Sequence, residues 1–258
     1  MALPGKWETT WSLPGSRGVA ETTSGYYIGP MKLLCTCLFT ILVKLTAAQF
    51  AIISDKDGYS NVRDSSATSS RVAEKLANGY LVYCFEKKGN WTYINYNKNR
   101  QERTGYVYTD RLKIVSDYTI IPQTVKKEDS IVFKKDSITV SITRQKFDKS
   151  KYRFTYFKDN PSYIQYINNQ PYWGRDGEMP TSNYKAVSIR IGTKIVYLPR
   201  MALAGLFEPS LYNTQVHYDE KNELLYIQSS NSDGAGAYEL IWKLHKGVYK
   251  DRYIAYGF

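Results

Sequence analysis

Beyond residue 49 the chain alternates apolar and polar residues with a period of two, in runs too short for helices. Between residues 50 and 108 the runs FAII (50–53), YSNVR (59–63), RVAEKL (71–76), YLVYCF (80–85), WTYINY (91–96) and TGYVY (104–108) are punctuated by Gly58, Gly79, Gly89 and Gly105. Short strands at this spacing predict a small β-barrel. Alternation turns Val62, Val72, Leu76, Val82 and Val107 inward and sets Trp91 at the barrel's rim. The polar stretch SSATSS (65–70) reads as a loop between paired strands, its hydroxyls bonding nearby backbone groups.

Residues 117–258 continue in β-type patterns with longer irregular loops. KEDSIVFKKDSITVSI (127–142) alternates apolar and charged positions, as antiparallel strands with one solvated face do. SIRIGTKIVYLP (188–199) predicts a hairpin turning at Gly192 and Thr193, and two more hairpins are read over 216–227 and 238–254. RMALAGLF (200–207) predicts one short helix, ended by Glu208 and Pro209. The expected fold class is therefore mainly β: a small barrel followed by a second, mainly antiparallel domain with one short helix.

The N-terminus follows a different pattern. Residues 31–49 begin at Met31 and Lys32 and run through an apolar stretch to the small pair Ala47 and Ala48, the layout of a secretory signal peptide. The apolar run is short and is interrupted by Lys44, which argues against a stable membrane anchor. Residues 1–30, with two LPG turns and no apolar period, read as a disordered upstream extension, with Met31 as the start of the secreted precursor. The expected destination is the periplasm or the outside of the cell.

Net charge is +11, and removing residues 1–48 takes away four basic and two acidic side chains to leave +9. The positive charge belongs to the exported part and suits an anionic envelope or an acidic protein partner. It is spread as +4 over 49–116 and +5 over 117–258 with no nucleic-acid motif, so nucleic acid is not an expected partner. Cys35 and Cys37 fall in the signal segment without a convincing lipidation motif, which leaves Cys84 as a small core residue with no disulfide partner.

The first unit carries four motifs in order: DGYSNVRDSSATSSRVAEKL (57–76), ANGYLV (77–82), KKGNWTYI (87–94) and TGYVYTDRL (104–112). Together these resemble the bacterial SH3-like domain, over residues 50–116. The resemblance implies an extracytoplasmic binding module that contacts cell-wall peptidoglycan or an envelope peptide. The chain departs from that pattern at NYNKNRQER (95–103), a longer and more charged connection that is expected to widen or cover a binding groove. In the second unit, the hairpin opened by NSDGAGAY (231–238) is similar to hairpins of uncharacterised exported bacterial proteins, which implies no activity.

Candidate ligand-binding residues in the first unit are Tyr59, Tyr80, Trp91, Tyr93, Tyr106 and Tyr108, since flat rings bury much area at low entropic cost. In the second unit the glycine-flanked loop WGRDGEMP (173–180) offers Trp173 for stacking and Arg175 to clamp a carboxylate. Asn231 and Asp233 suggest a calcium loop, but the later ligands are missing, and the segment reads as a turn using Gly234 and Gly236 at positive φ.

No catalytic residues, metal site or cofactor are expected. Residues 117–258 contain no cysteine for a Cys–His peptidase, and His217 and His245 alone do not make a zinc site. A two-carboxylate glycosidase, with Glu178, Glu208 or Glu239, stays open because carboxylate separation is invisible in sequence. The expected function is non-enzymatic binding at the envelope. The alternative is an immunity or inhibitor protein whose C-terminal domain neutralises a toxin or lytic enzyme.

Overall fold

Strand alternation governs the first part of the molecule. In the computed structural model, which describes residues 48–99 and 101–256, seven strands form one antiparallel sheet. They are β1 (Gln49–Ile53), β2 (Tyr59–Arg63), β3 (Val72–Ala77), β4 (Leu81–Lys88), β5 (Trp91–Lys98), β6 (Gln101–Tyr108) and β7 (Leu112–Ile114). Their order is β3-β2-β6-β5-β4-β1-β7. The expected signal segment and upstream extension lie outside the described residues except at Ala48 and Gln49, and Gln49 is already paired with Cys84 in β1.

The ladder does not close into a barrel, because β3 and β7 are both edges. Even so, Val62, Leu76, Val82, Cys84, Ile94, Tyr96 and Val107 share one core with Ala51 and Ile53, and Leu112 and Ile114 pack against it. Leu76 comes from one edge strand and Leu112 from the other, so the twisted sheet coils around its own apolar face. Four of the five residues expected inside are fully buried, whereas Val72 is exposed. A register shift places Val72 opposite Arg63 after Glu74 opposite Val62, so the bulge turns Val72 away from the side that Leu76 occupies.

Two sequence features find their reason here. A Cβ on Gly105 would sit 2.9 Å from the Arg63 carbonyl oxygen and collide with the Val62 side chain, so only glycine lets β6 approach β2. The 95–103 segment is not a covering loop. It continues the β5–β6 hairpin from Asn95 opposite Thr104 to Lys98 opposite Gln101, and it buries Tyr96 in the core.

The remaining strands are β8 (Thr119–Ile120), β9 (Gln123–Lys126), β10 (Ser130–Lys135), β11 (Ile138–Lys146), β12 (Phe154–Tyr156), β13 (Ile164–Ile167), β14 (Ser182–Ile191) and β15 (Lys194–Tyr197). After the helix α1 (Arg200–Leu203) come β16 (Thr214–Asp219), β17 (Leu224–Asn231), β18 (Tyr238–His245) and β19 (Val248–Tyr256). The mainly β class with one short helix holds among the described residues. The hairpin β14–β15 turns at Gly192 and Thr193 as expected, with Gly192 at φ 58°. The helix stops before Glu208, because Gly205 at φ 74° redirects the chain.

Two five-stranded antiparallel sheets, β15-β14-β11-β10-β9 and β19-β18-β17-β16-β8, pack face to face, and β12–β13 form a separate ribbon. Alternation along β18 organises the layers. Tyr238, Leu240, Trp242 and Leu244 enter the core shared with Ile131, Val140, Ile142 and Ile189. Ile241 points the other way and joins Tyr226, Tyr253 and Ala255 against Phe50, Ile52, Leu81 and Tyr83 of the first sheet. The β16–β19 layer is thus covered on both faces, and the two halves of the described chain belong to one compact unit.

Candidate functional site

The outward face of the first sheet gathers five of the six candidate rings of that unit. On β5 and β6, Trp91 stands opposite Tyr108 and Tyr93 opposite Tyr106, with ring centroids 4.6 Å and 5.1 Å apart. These cross-strand pairs form an aromatic ladder beside β2, whose own outward residues are Tyr59, Asn61 and Arg63. Tyr59 is exposed, with the Lys75 ammonium 4.8 Å above its ring, and Tyr93, Tyr106 and Tyr108 are half-buried. Trp91 is more enclosed, at 8% exposure.

One end of this face deepens into a groove of about 240 Å³, lined by Tyr59, Trp91 and Tyr108 together with Asp57, Asn61, Arg63 and Arg111. Its wall is rigid. Asp55, with a side chain only 8% exposed, accepts from Arg111 at 2.9 Å and from the backbone N–H of Asp57 at 3.0 Å. The Asn78 side chain ties down the Asp55 backbone through both its N–H and its carbonyl. Arg63 donates to the Ser70 carbonyl, which fixes the serine-rich loop at the groove's edge. Asn61 differs: its side chain lines the groove, and its buried Oδ1 has no hydrogen-bond partner. Asn61 and Arg63 were within reach of sequence reasoning, because alternation puts both on the Tyr59 side of β2.

The other candidates lie elsewhere. Tyr80, just before β4, donates its hydroxyl to the Asn97 carbonyl and lines a larger cleft of about 620 Å³. Trp173 lines the same cleft, 4.8 Å from the ring of Tyr256. The 95–103 segment at the hairpin's far end contributes Asn97 and Glu102 to this cleft and none of the groove's lining residues.

Arg175 is held by carboxylates of its own chain, with Nε 3.2 Å from Glu208 and Nη1 3.3 Å from Glu178. Glu208 also accepts from the backbone N–H and hydroxyl of Thr181 and from those of Ser182. Burial pushes its carboxyl upward, but these hydrogen bonds outweigh burial and hold it below the usual range. Glu239 shows the opposite shift: burial raises its carboxyl, against one hydrogen bond from Ser230. The Tyr238 hydroxyl reaches the Phe207 carbonyl at 2.9 Å, so Glu208 lies beyond the Tyr238 side of β18, whereas Glu239 faces the first sheet near Tyr83. Of the three carboxylates considered for glycoside cleavage, Glu239 therefore stands apart, while Glu178 and Glu208 meet at Arg175 and are both engaged with it.

The two glycine-bearing loops of the second half pack on each other. Gly174 donates to the Gly236 carbonyl at 3.1 Å, and Ser232 donates to the Gly174 carbonyl at 2.8 Å. Gly234 takes φ 51° as expected, but Gly236 is required for a different reason: a Cβ there would lie 2.9 Å from the Arg175 backbone. Asn231 is turned into the core, its Oδ1 accepting from Tyr184, Ser210 and Ser229. That side chain has nothing left for a cation, and among the described residues no cluster of three acidic, histidine or cysteine ligands occurs. Burial pushes the Cys84 thiol up to about 12, which makes it a poor nucleophile.

Among the described residues no helix is long and apolar enough to cross a membrane. Comparison with protein-family models, with characterised proteins and with solved structures finds no match to this chain.

Proposed function

We propose that this protein is an exported, non-enzymatic binding protein whose first sheet is an SH3-like module contacting a peptide of the cell envelope, in the first instance the peptide part of peptidoglycan. The observation that carries the reading is the groove beside the aromatic ladder, where rings of Tyr59, Trp91 and Tyr108 flank the unpartnered Asn61 Oδ1. Rings supply area for an extended chain, and the orphan acceptor matches a peptide N–H. The lining carries both signs of charge, with Asp57 beside Arg63 and Arg111, which suits a ligand bearing both an amine and a carboxylate, as short wall peptides do.

Co-sedimentation of the full chain with purified peptidoglycan, over a salt series, tests this reading. Retention at moderate salt that drops about tenfold in Tyr59→Ala and Tyr108→Ala is expected, given what loss of a ring contact costs. Unmodified protein that stays in the supernatant at moderate salt would overturn it.

A second reading, neutralisation of a toxin or lytic enzyme by residues 117–258, draws on a different surface. Tyr156, Phe157, Tyr163 and Tyr166 are all exposed along the β12–β13 ribbon and its connecting loop. An exposed cluster of rings is the composition of a protein-binding patch. Pull-downs from envelope extracts that recover no protein would remove this reading.

A further inference from the structure

A cleft larger than the Tyr59 groove lies elsewhere in the described structure. It is the space of about 620 Å³ between the first sheet and β18–β19, within the size range of small-molecule sites. Its walls come from distant parts of the chain: Tyr80, Asn97 and Glu102 from one side, Trp173 from the glycine loop, and Lys243, Asp251, Tyr253 and Tyr256 from the last hairpin.

The chemistry of those walls narrows the ligand. Both cations are already engaged: Lys243 donates to the Gly79 carbonyl at 2.8 Å, and Arg252 donates to the carbonyls of Ala202 and Ala204 at 3.0 Å and 2.8 Å. The lining also balances in charge, Lys243 and Arg252 against Glu102 and Asp251, so the cleft has no net positive field to draw an anion. A cationic ligand would meet those same two charges at close range. What the cleft offers is acceptors. Glu102 receives one hydrogen bond from Asn95, and the Asp251 carboxylate receives one from the backbone of Arg252, which leaves lone pairs free on each. Tyr253 is 3% exposed, and its hydroxyl is buried without a partner. Aromatic faces stand alongside, with Trp173 and Tyr256 in edge contact and Tyr256 54% exposed.

A neutral ligand with many hydroxyl donors and flat apolar C–H faces satisfies all of these demands together. We infer that the cleft is a carbohydrate-binding site, taking a short neutral oligosaccharide with a sugar ring against Trp173 and Tyr256 and its hydroxyls donating to Glu102 and Asp251. The buried Tyr253 hydroxyl sits at the same site as a polar group awaiting a partner. This inference is independent of what the Tyr59 groove binds.

Isothermal titration of the full chain with the tetrasaccharides of β-1,4-linked glucose and β-1,4-linked N-acetylglucosamine tests it. Binding of at least one sugar is expected. Affinity should fall at least about tenfold in Tyr256→Ala and in Glu102→Gln, both surface changes, and stay unchanged in Tyr59→Ala. Loss of sugar binding in Tyr59→Ala with Tyr256→Ala unaffected would overturn the inference and move the sugar to the groove. So would an absence of heat with either sugar at millimolar concentration. Tetramethylammonium binding that is lost in Tyr256→Ala, without sugar binding, would instead make the cleft a site for cations. Because wall-peptide binding is read through Tyr59 and Tyr108, failure of either proposal leaves the other's result legible.

Discussion

The outward face of the first sheet carries aromatic residues from end to end, yet its two ends meet opposite fates. At the β1–β4 end, Phe50, Ile52, Leu81 and Tyr83 are buried beneath Tyr226, Ile241, Tyr253 and Ala255. At the β2–β6–β5 end, Tyr59 is exposed and Tyr93, Tyr106 and Tyr108 remain half-exposed. The chemistry of the residues is nearly the same, and coverage by a second layer makes the difference. Rings on the covered end stabilise the fold, while on the open end Tyr59, Tyr93, Tyr106 and Tyr108 keep surface for a ligand around the more enclosed Trp91.

Truncation should separate the two ends most sharply. Phe50→Ala removes a ring 3% exposed, packed 4.9 Å from Tyr83 and 6.0 Å from Tyr253, and is expected to cost about 3–5 kcal/mol in urea denaturation. Tyr106→Ala on the open end, paired only with Tyr93, should cost about 1 kcal/mol. Equal losses would mean that both ends are structural and that the ladder is not a spare surface.

A smaller effect falls at the junction of β2 and β6. Gly105→Ala forces a methyl against Val62 and the Arg63 carbonyl and should cost about 1–3 kcal/mol. Because Arg63 borders the groove, the proposed wall binding should weaken more than stability alone explains, as measured by co-sedimentation at a temperature where the variant stays folded.

The smallest effect comes from Glu239, whose side chain faces the covered end. Burial raises its folded pKa above the unfolded value, so ionised Glu239 opposes folding once pH rises through the ordinary carboxylate range. Glu239→Gln is therefore expected to raise the urea midpoint at pH 7 and to leave it nearly unchanged at pH 3, where both side chains are neutral. An unchanged midpoint at pH 7 would place the carboxylate in water and loosen the picture of a sealed covered end.

Much of this architecture was legible from alternation and turns. The strands, the Gly192 hairpin and the single short helix are local features, and Tyr59, Trp91, Tyr93, Tyr106 and Tyr108 do share a face because period-two patterning fixes which way each ring points. Val72 escaped because a one-residue bulge reverses that parity, and a bulge leaves no mark in hydrophobic pattern. The role of 95–103 was misread because length and charge look alike in a loop and in an extended hairpin. Arg175 was expected to be available, but its partner Glu208 lies 33 residues away and only folding brings them together. The cleft was invisible for the same reason: its walls span Tyr80 to Tyr256, and no window of sequence contains them.

The seam between the first sheet and the last hairpin also bears on how the chain folds. Phe50 and Tyr83 precede Tyr253 and Ala255 by at least 170 residues of chain. A chain emerging N-terminus first can pair β1 to β7 early, but its Phe50 and Tyr83 patch must wait uncovered until β19 has been made. Folding of the first sheet and its protection are thus separated in time. The interval between them is the period in which a chaperone or another nascent copy competes for that patch.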